Sequence, residues 1–405
     1  MSRTSTNGAA PSADARDAAS VKRTRNIFLL LFLIFYMTDA AGGYLMIYLK
    51  SIGYNTLQMG MLTSAASLVA LFVQPFIGGI ADRAPTRNRV LMIALVISGV
   101  LAPMLRLSTA FFYILVVYTC YIIARNIQHP LTDTITLEYT ARHNVPFGPI
   151  RIMGCIGYAS MAAIAGTVAA GDPSNTFFLY TATAFLTVGV LIFVPKSSGV
   201  RMQKRANPLM IFKNATLLKY TLFAMIFSMT KSFYHQFFSV YFTSELGGPT
   251  NLYGFLLSIA ALTEIPLIFS LDKLIKRFGT KRVIIAAGCI ESLRWLMTAT
   301  VLNPYVQLGV HAVLGAGNMI MSITMVMFVN SMMPPESKAT GQATYTMLIS
   351  IGSMIFGNFL GGALSNVMGI RPVFFICVAI NAVAMVLFLM DKTGAGETEA
   401  VEQQE

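Results

Sequence analysis

Residues 78–90 read GGIADRAPTRNRV, and residues 271–283 read LDKLIKRFGTKRV. In each, an acidic residue at a helix end (Asp82, Asp272) meets a short basic turn that leads into the next apolar run. One such loop says little, because loops are commonly charged. Two of them, at the same place in the two halves of one chain, imply an internal duplication.

A bilayer-spanning helix needs about 20 mostly apolar residues. Twelve stretches qualify, at 27–49, 57–80, 88–108, 110–134, 150–170, 176–195, 219–243, 252–273, 282–302, 304–329, 340–364 and 370–390. The chain of 405 residues is 55% apolar and 11% charged, with a mean hydropathy of +0.66. A soluble domain averages about 25% charged residues, so an ordinary cytosolic enzyme is excluded. Amphipathic surface helices would leave more charge per turn, and no ten-residue alternating strands mark a β-barrel. The expected fold is an all-α membrane protein of 12 transmembrane helices in two pseudo-symmetric six-helix bundles. The layout expected is a disordered tail (1–26), a first bundle (27–195), a cytoplasmic linker (196–218), a second bundle (219–390) and a tail (391–405).

The net charge of +12 does not point to nucleic acid, because the basic residues sit between apolar spans. Arg3, Arg16, Lys22, Arg23 and Arg25 precede span 1, and the linker and the loop after span 8 are basic as well. Lys50, Arg106 and Arg371 alone fall on the other side. Positive residues collect in cytoplasmic loops, which puts both termini in the cytoplasm of a multi-pass cell-membrane protein. Cys120, Cys155, Cys289 and Cys377 lie in apolar runs without paired spacing, so neither a disulfide framework nor a zinc site is expected. The first 24 residues lack the apolar core of a signal peptide. No P-loop, no HExxH and no clustered metal ligands occur, so no ATP, metal or other cofactor is expected.

Eight acids and bases lie inside the spans: Asp39, Arg125, Asp133, Arg151, Lys231, Glu264, Glu291 and Arg294. At roughly 2.5–3.5 kcal/mol each, leaving all eight in lipid would cost about 20–28 kcal/mol. Net stabilities are only ~5–15 kcal/mol, so these charges must pair or face water. Arg125, His129 and Asp133 stand one turn apart on one face of span 4. Arg151, Cys155 and Tyr158 form a stripe on span 5, where Gly154 and Gly157 allow close helix approach. Lys231, Tyr234, His235 and Phe238 form another on span 7, and Glu291 and Arg294 lie one turn apart on span 9. Such stripes converge only around a central cavity.

The two halves and their paired loops resemble the major facilitator superfamily. The segment HPLTDTITLEYTARHNVPFGPIRIMGCIGYA (129–159) resembles the proton-symporter branch that includes lactose permease, nucleoside permeases and a phenylpropionate permease. The resemblance implies that Asp133 and Arg151 face each other in the substrate cavity. It also implies that Arg294 and His311 match positions near a proton site, and that Gly78, Asp82 and Arg83 belong to a gating loop, with Pro85 where glycine is usual. Two features depart from lactose permease: Leu314 replaces its proton-carrying glutamate, and 348–358 lacks its helix 11 lysine.

The expectation is a secondary transporter, functional as a monomer, that imports a small polar solute with protons. A sugar or oligosaccharide comes first, then a nucleoside, then an aromatic acid. Asp133, Arg151, Tyr158, Arg125, His129, Lys231, His235 and Asp39 are the candidate substrate contacts; each has a structural alternative, as ion pair, packing ring or snorkelling helix end. Glu264, Glu291, Arg294 and His311 are the candidate coupling residues, against structural ion pairing or core hydrogen bonding. A proton-driven drug or metabolite exporter is the alternative, and a membrane sensor that does not transport is a remote one.

Overall fold

The computed structural model describes residues 13–197, 215–333 and 338–390. The first half holds six helices. Helix α1 runs Ala13–Ala41, tightens through Gly42–Tyr44 and continues as Leu45–Ser51. Then come α2 (Thr56–Arg83), α3 (Arg87–Met104), α4 (Phe111–Asn126 and Gln128–His143), α5 (Phe147–Gly171) and α6 (Thr176–Leu191). The second half repeats the plan with α7 (Ala215–Val240), α8 (Thr250–Phe278), α9 (Thr280–Thr300) and α10 (Pro304–Leu314 and Ala316–Met332). It ends with α11 (Lys338–Gly352, widened over Ser353–Leu360, then Gly361–Met368) and α12 (Ile370–Met390).

Among the described residues, ten helices are long and apolar enough to span a membrane. The other two expected spans, α7 and α10, are present but differ in kind. Lys219, Lys231, His235 and Gln236 dilute the apolar run of α7, and Gly315 divides α10 into two shorter pieces.

Three expected boundaries move. Residues 13–26, read as part of a disordered tail, begin α1, because ADARDAASVKR is rich in strong helix formers. Residues 1–12, 198–214 and 391–405 of the expected tails and linker lie outside the described residues. Helix α4 runs on to His143, nine residues past its expected end. Leu131, Ile135 and Tyr139 keep an apolar stripe there at helical spacing, and Asn144 ends the helix in the left-handed conformation. Helix α8 continues to Phe278 and turns sharply into α9 at Gly279 (φ 79°), a conformation that favours glycine.

Packing repeats between the halves. Helix α1 packs on α5 and α6, α2 on α4, and α3 on α4 and α6; correspondingly α7 packs on α11 and α12, α8 on α10, and α9 on α10 and α12. Among the described residues the most extensive crossings between the halves are α5 with α8 and α2 with α11, and the end of α1 also packs on α7. Those two crossings are close at the end where α1 terminates. A Cβ on Gly166 would meet Gly254 Cα at 2.7 Å, and one on Gly60 would meet the Asn358 carbonyl oxygen at 2.6 Å. Ser258 donates to the Ala159 carbonyl at 2.5 Å, and Ser64 to the Met354 carbonyl at 3.0 Å. Small residues here let backbones touch. The apolar core of the first half continues across this seam through Phe237, Phe238 and Tyr253.

At the opposite end, Asn88 donates to the carbonyls of Val194 (3.3 Å) and Pro195 (3.1 Å) and accepts from the Ser197 amide (3.0 Å). Arg87 pairs with Glu138 at 3.4 Å, and the Ser197 hydroxyl donates to the same carboxylate. The start of the linker is thereby stapled to α3 and α4. Between α5 and α6, the hydroxyl and amide of Ser174 hold the Asp172 carboxyl below the usual carboxylate range.

Candidate functional site

A cavity of about 730 Å³ lies between the halves. It reaches from Tyr253, near the sealed seam, to Phe147 in the first turn of α5 at the other end. The eight candidate substrate contacts all line it, as do Glu264 and Arg294.

Its best-defined polar group is built by two helix breaks. Helix α1 changes pitch at Gly42, where a Cβ would stand 2.9 Å from Tyr121 Oη and 3.4 Å from Arg125 Cζ. Helix α4 is interrupted at Ile127, between Arg125 and His129. Across this close approach Arg125 Nη2 lies 2.6 Å from Asp39 Oδ1, and His129 Nε2 lies 3.3 Å from the same oxygen. Asp39 and Arg125 keep 22% and 25% of their side chains exposed, so the pair is half-buried at the edge of the cavity.

The expected pairing of Asp133 with Arg151 is not formed. Both line the cavity, yet among the described residues neither has an opposite charge within 4 Å. Arg125 takes the available acid, Asp39, and Arg151 instead lies over the Tyr36 ring, 4.8 Å from its centroid. Gly154 makes room for that ring, since a Cβ would stand 2.8 Å from Tyr36 Cδ2. Gly157 lets α1 approach, since an added Cβ would run into the Leu33 carbonyl oxygen. Guanidinium and ring face attract one another electrostatically, and the guanidinium edge keeps donors for a ligand.

The second half presents Lys231 and His235 from α7 and Glu264 from α8. Lys231 and Glu264 likewise have no opposite charge within 4 Å among the described residues. Arg294 reaches the cavity from α9 and pairs with Glu291 (Nη1 to Oε1, 3.7 Å) while lying 4.5 Å over the Tyr234 ring. Glu291 itself lines a smaller space of about 200 Å³ inside the second half, which Lys231 also borders. His311 is fully buried in an aromatic stack with Tyr234 and Phe238, and its Nδ1 lies 2.9 Å from the Gln307 carbonyl. It does not line the central cavity.

Gly78 and Arg83 sit in the last turns of α2, and neither borders the cavity; no atom lies within 4 Å of a Cβ built on Gly78. The side chain of Asp82 lies outside the described residues. No group of three or more potential metal ligands occurs among the described residues.

Sequence reasoning missed the ring wall. Tyr36, Tyr118, Tyr121 and Tyr253 line the cavity together with the expected Tyr158 and with Tyr234 of the α7 stripe. A tyrosine within an apolar span reads as ordinary packing, and nothing at its position marks it as facing water. Gln236 was missed as well; its amide donates across the seam to Met46 Sδ at 3.3 Å.

Among the described residues, twelve helices in two like-packed bundles around a cavity lined by charges define a multi-pass membrane transporter. The chain belongs to the MFS_1 like family, which it matches over residues 25–376, and so to the major facilitator superfamily. It is 24% identical over 345 residues to the uncharacterized transporter YwbF of Bacillus subtilis, covering 82% of this chain and 84% of that one. It is 24% identical over 378 residues to the maltose permease of Geobacillus stearothermophilus, covering 91% of this chain and 95% of the permease. Among solved structures, the nucleoside transporter NupG superposes with a TM-score of 0.76 at 17% identity, over 90% of this chain and 98% of NupG.

Proposed function

We propose that this transporter imports a small polar solute with protons, with both termini in the cytoplasm. A sugar or oligosaccharide is the preferred solute, ahead of a nucleoside and an aromatic acid. The observation that carries the reading is the set of four charges left open to the cavity: Asp133 and Arg151 from the first half, Lys231 and Glu264 from the second. A hydroxyl-rich solute donates to the two acids and accepts from the two bases, while the tyrosine wall packs against ring faces. The relation to a maltose permease supports a sugar, and the fold shared with a nucleoside transporter keeps nucleosides second.

In this reading Arg151, Asp133 and Tyr158 hold the solute, and Asp39, Arg125, His129, Lys231 and His235 complete the wall. Glu264 and the Glu291–Arg294 pair carry the proton linkage. Linkage requires solute and proton each to raise the other's affinity by the same factor. His311 supports the α7 wall, and the Gly78–Arg83 segment serves the gate.

The test is proton movement in proteoliposomes on addition of a panel of sugars, nucleosides and aromatic acids. External alkalinisation with one class, lost in Arg151→Ala, is expected. Unchanged transport in Arg151→Ala would exclude the proposed site. Solute accumulation driven in the opposite direction would make the protein an exporter.

A further inference from the structure

A second space lies on the outer face of the first half, where α1 and α6 diverge. It is a groove of about 590 Å³ that shares no residue with the central cavity. Ile27, Leu30 and Ile34 form its α1 wall; Phe185 and Leu186 of α6, with Phe193 just past the end of that helix, form the facing wall. Leu186 is 58% exposed and Phe193 70% exposed. Gly189 opens the α6 wall midway, since no atom lies within 4 Å of a Cβ built there. At the end of the groove near the chain's N-terminus stands Arg23, one turn before Ile27. Arg23 is exposed and, among the described residues, has no carboxylate within 4 Å. Lys22, also exposed, and Arg25 add charge to the same helix end.

We propose that this groove binds one acyl chain of an anionic phospholipid, with the lipid phosphate on Arg23. Three observations favour that occupant. The walls are apolar throughout, apart from the one cation at the end. The α1 wall spans twelve residues from Arg23 to Ile34, a rise of about 16 Å along the helix, close to the half-thickness of a ~30 Å hydrocarbon core. The cations gather at the end where a headgroup of that leaflet would lie, and a guanidinium offers a phosphate two parallel hydrogen bonds. A zwitterionic lipid would fill the groove equally well but would gain less from the excess positive charge.

Native mass spectrometry of the full chain, delipidated and then titrated with equal amounts of phosphatidylglycerol and phosphatidylcholine, tests this. One retained phosphatidylglycerol per chain is expected. Arg23→Gln should reduce the preference for phosphatidylglycerol about fivefold while leaving chain binding in place. Gly189→Phe should fill the groove and remove the retained lipid whatever its headgroup. Thermal melting checks that both variants are folded. Equal retention of the two lipids by the unaltered protein, unchanged retention in both variants, or a dimer mass that Gly189→Phe abolishes would each overturn the proposal.

Discussion

The seam that closes one end of the cavity is held by glycines, and a single methyl group should open it. A Cβ on Gly254 would stand 2.5 Å from the Ala162 carbonyl oxygen and 2.8 Å from Gly166 Cα, whereas ordinary contact begins at 3.4 Å. Both neighbours are backbone atoms, so no flexible side chain can give way. Gly254→Ala therefore requires α8 to withdraw from α5 by nearly an ångström. Overpacking of this kind costs ~1–3 kcal/mol. Placed on only one of two arrangements of the halves, a bias of that size shifts their ratio about 5–150-fold. Spin labels on Ser51 and Asn251 report the change, because both are exposed and they lie on opposite halves at the sealed end. Exposed Cys120 and Cys289 are first replaced by alanine. The expected result is a second, longer distance population in Gly254→Ala. Gly60→Ala, aimed at the Asn358 carbonyl in the other crossing, should give the same. An unchanged distance distribution in folded Gly254→Ala and Gly60→Ala would refute the assignment of this seam as the closure.

Three further outcomes follow from particular contacts. Arg125→Leu leaves the Asp39 carboxylate without its closest partner and should cost about 3 kcal/mol, toward the low end for ion pairs because both side chains border the cavity; adding Asp39→Leu should recover more than half of the lost melting temperature. Asn88→Ala removes three hydrogen bonds to Val194, Pro195 and Ser197, so amide exchange at Ser197 should accelerate at least tenfold, about the effect of losing 1–3 kcal/mol of buried bonding. Glu245 accepts hydrogen bonds from the first amides of α12, Ile370 (2.7 Å) and Arg371 (3.2 Å); Glu245→Ala should destabilise that helix end by about 1 kcal/mol, read as faster exchange at those two amides.

The spans were legible because twenty-residue apolar runs have few other uses, and the duplication was legible because charge marks the loops that bound them. What hydropathy cannot see is a helix that continues through polar residues. The segment TDTITLEYTARH looks like a loop by composition, yet Leu131, Ile135 and Tyr139 preserve the helical period against Phe28 and its neighbours. Glycines mark both the break in α10 at Gly315 and the widened turn over Ser353–Leu360, but the geometry adopted there depends on the packing around them.

The charged residues that line the cavity were legible for the opposite reason: a charge inside an apolar run has to be accounted for. Their partners were not. Asp39 and Arg125 are 86 positions apart, and their contact depends on where α1 bends and on a glycine that admits the arginine. Spacing along α4 favoured Asp133 for the cavity but was silent on which base would stand beside which acid.

The pairing that results has a consequence for how the halves communicate. Of the eight charges within the spans, each half sets two in a closed pair, Asp39 with Arg125 and Glu291 with Arg294, and leaves one acid and one base open to the cavity. A closed pair sets its charges against each other and answers a solute only by opening. The open groups rely on water, or on a ligand. A solute that touches only Asp133 and Arg151 would bind equally well however the second half were placed. Such a ligand moves no equilibrium, because it has no differential affinity for the two arrangements. A solute large enough to reach Lys231 and Glu264 as well gains contacts that depend on the distance between α5 and α8. Its binding energy then acts on the seam. In the proposed reading, this argues for a solute that spans the cavity, and it ranks an oligosaccharide above a single small sugar ring.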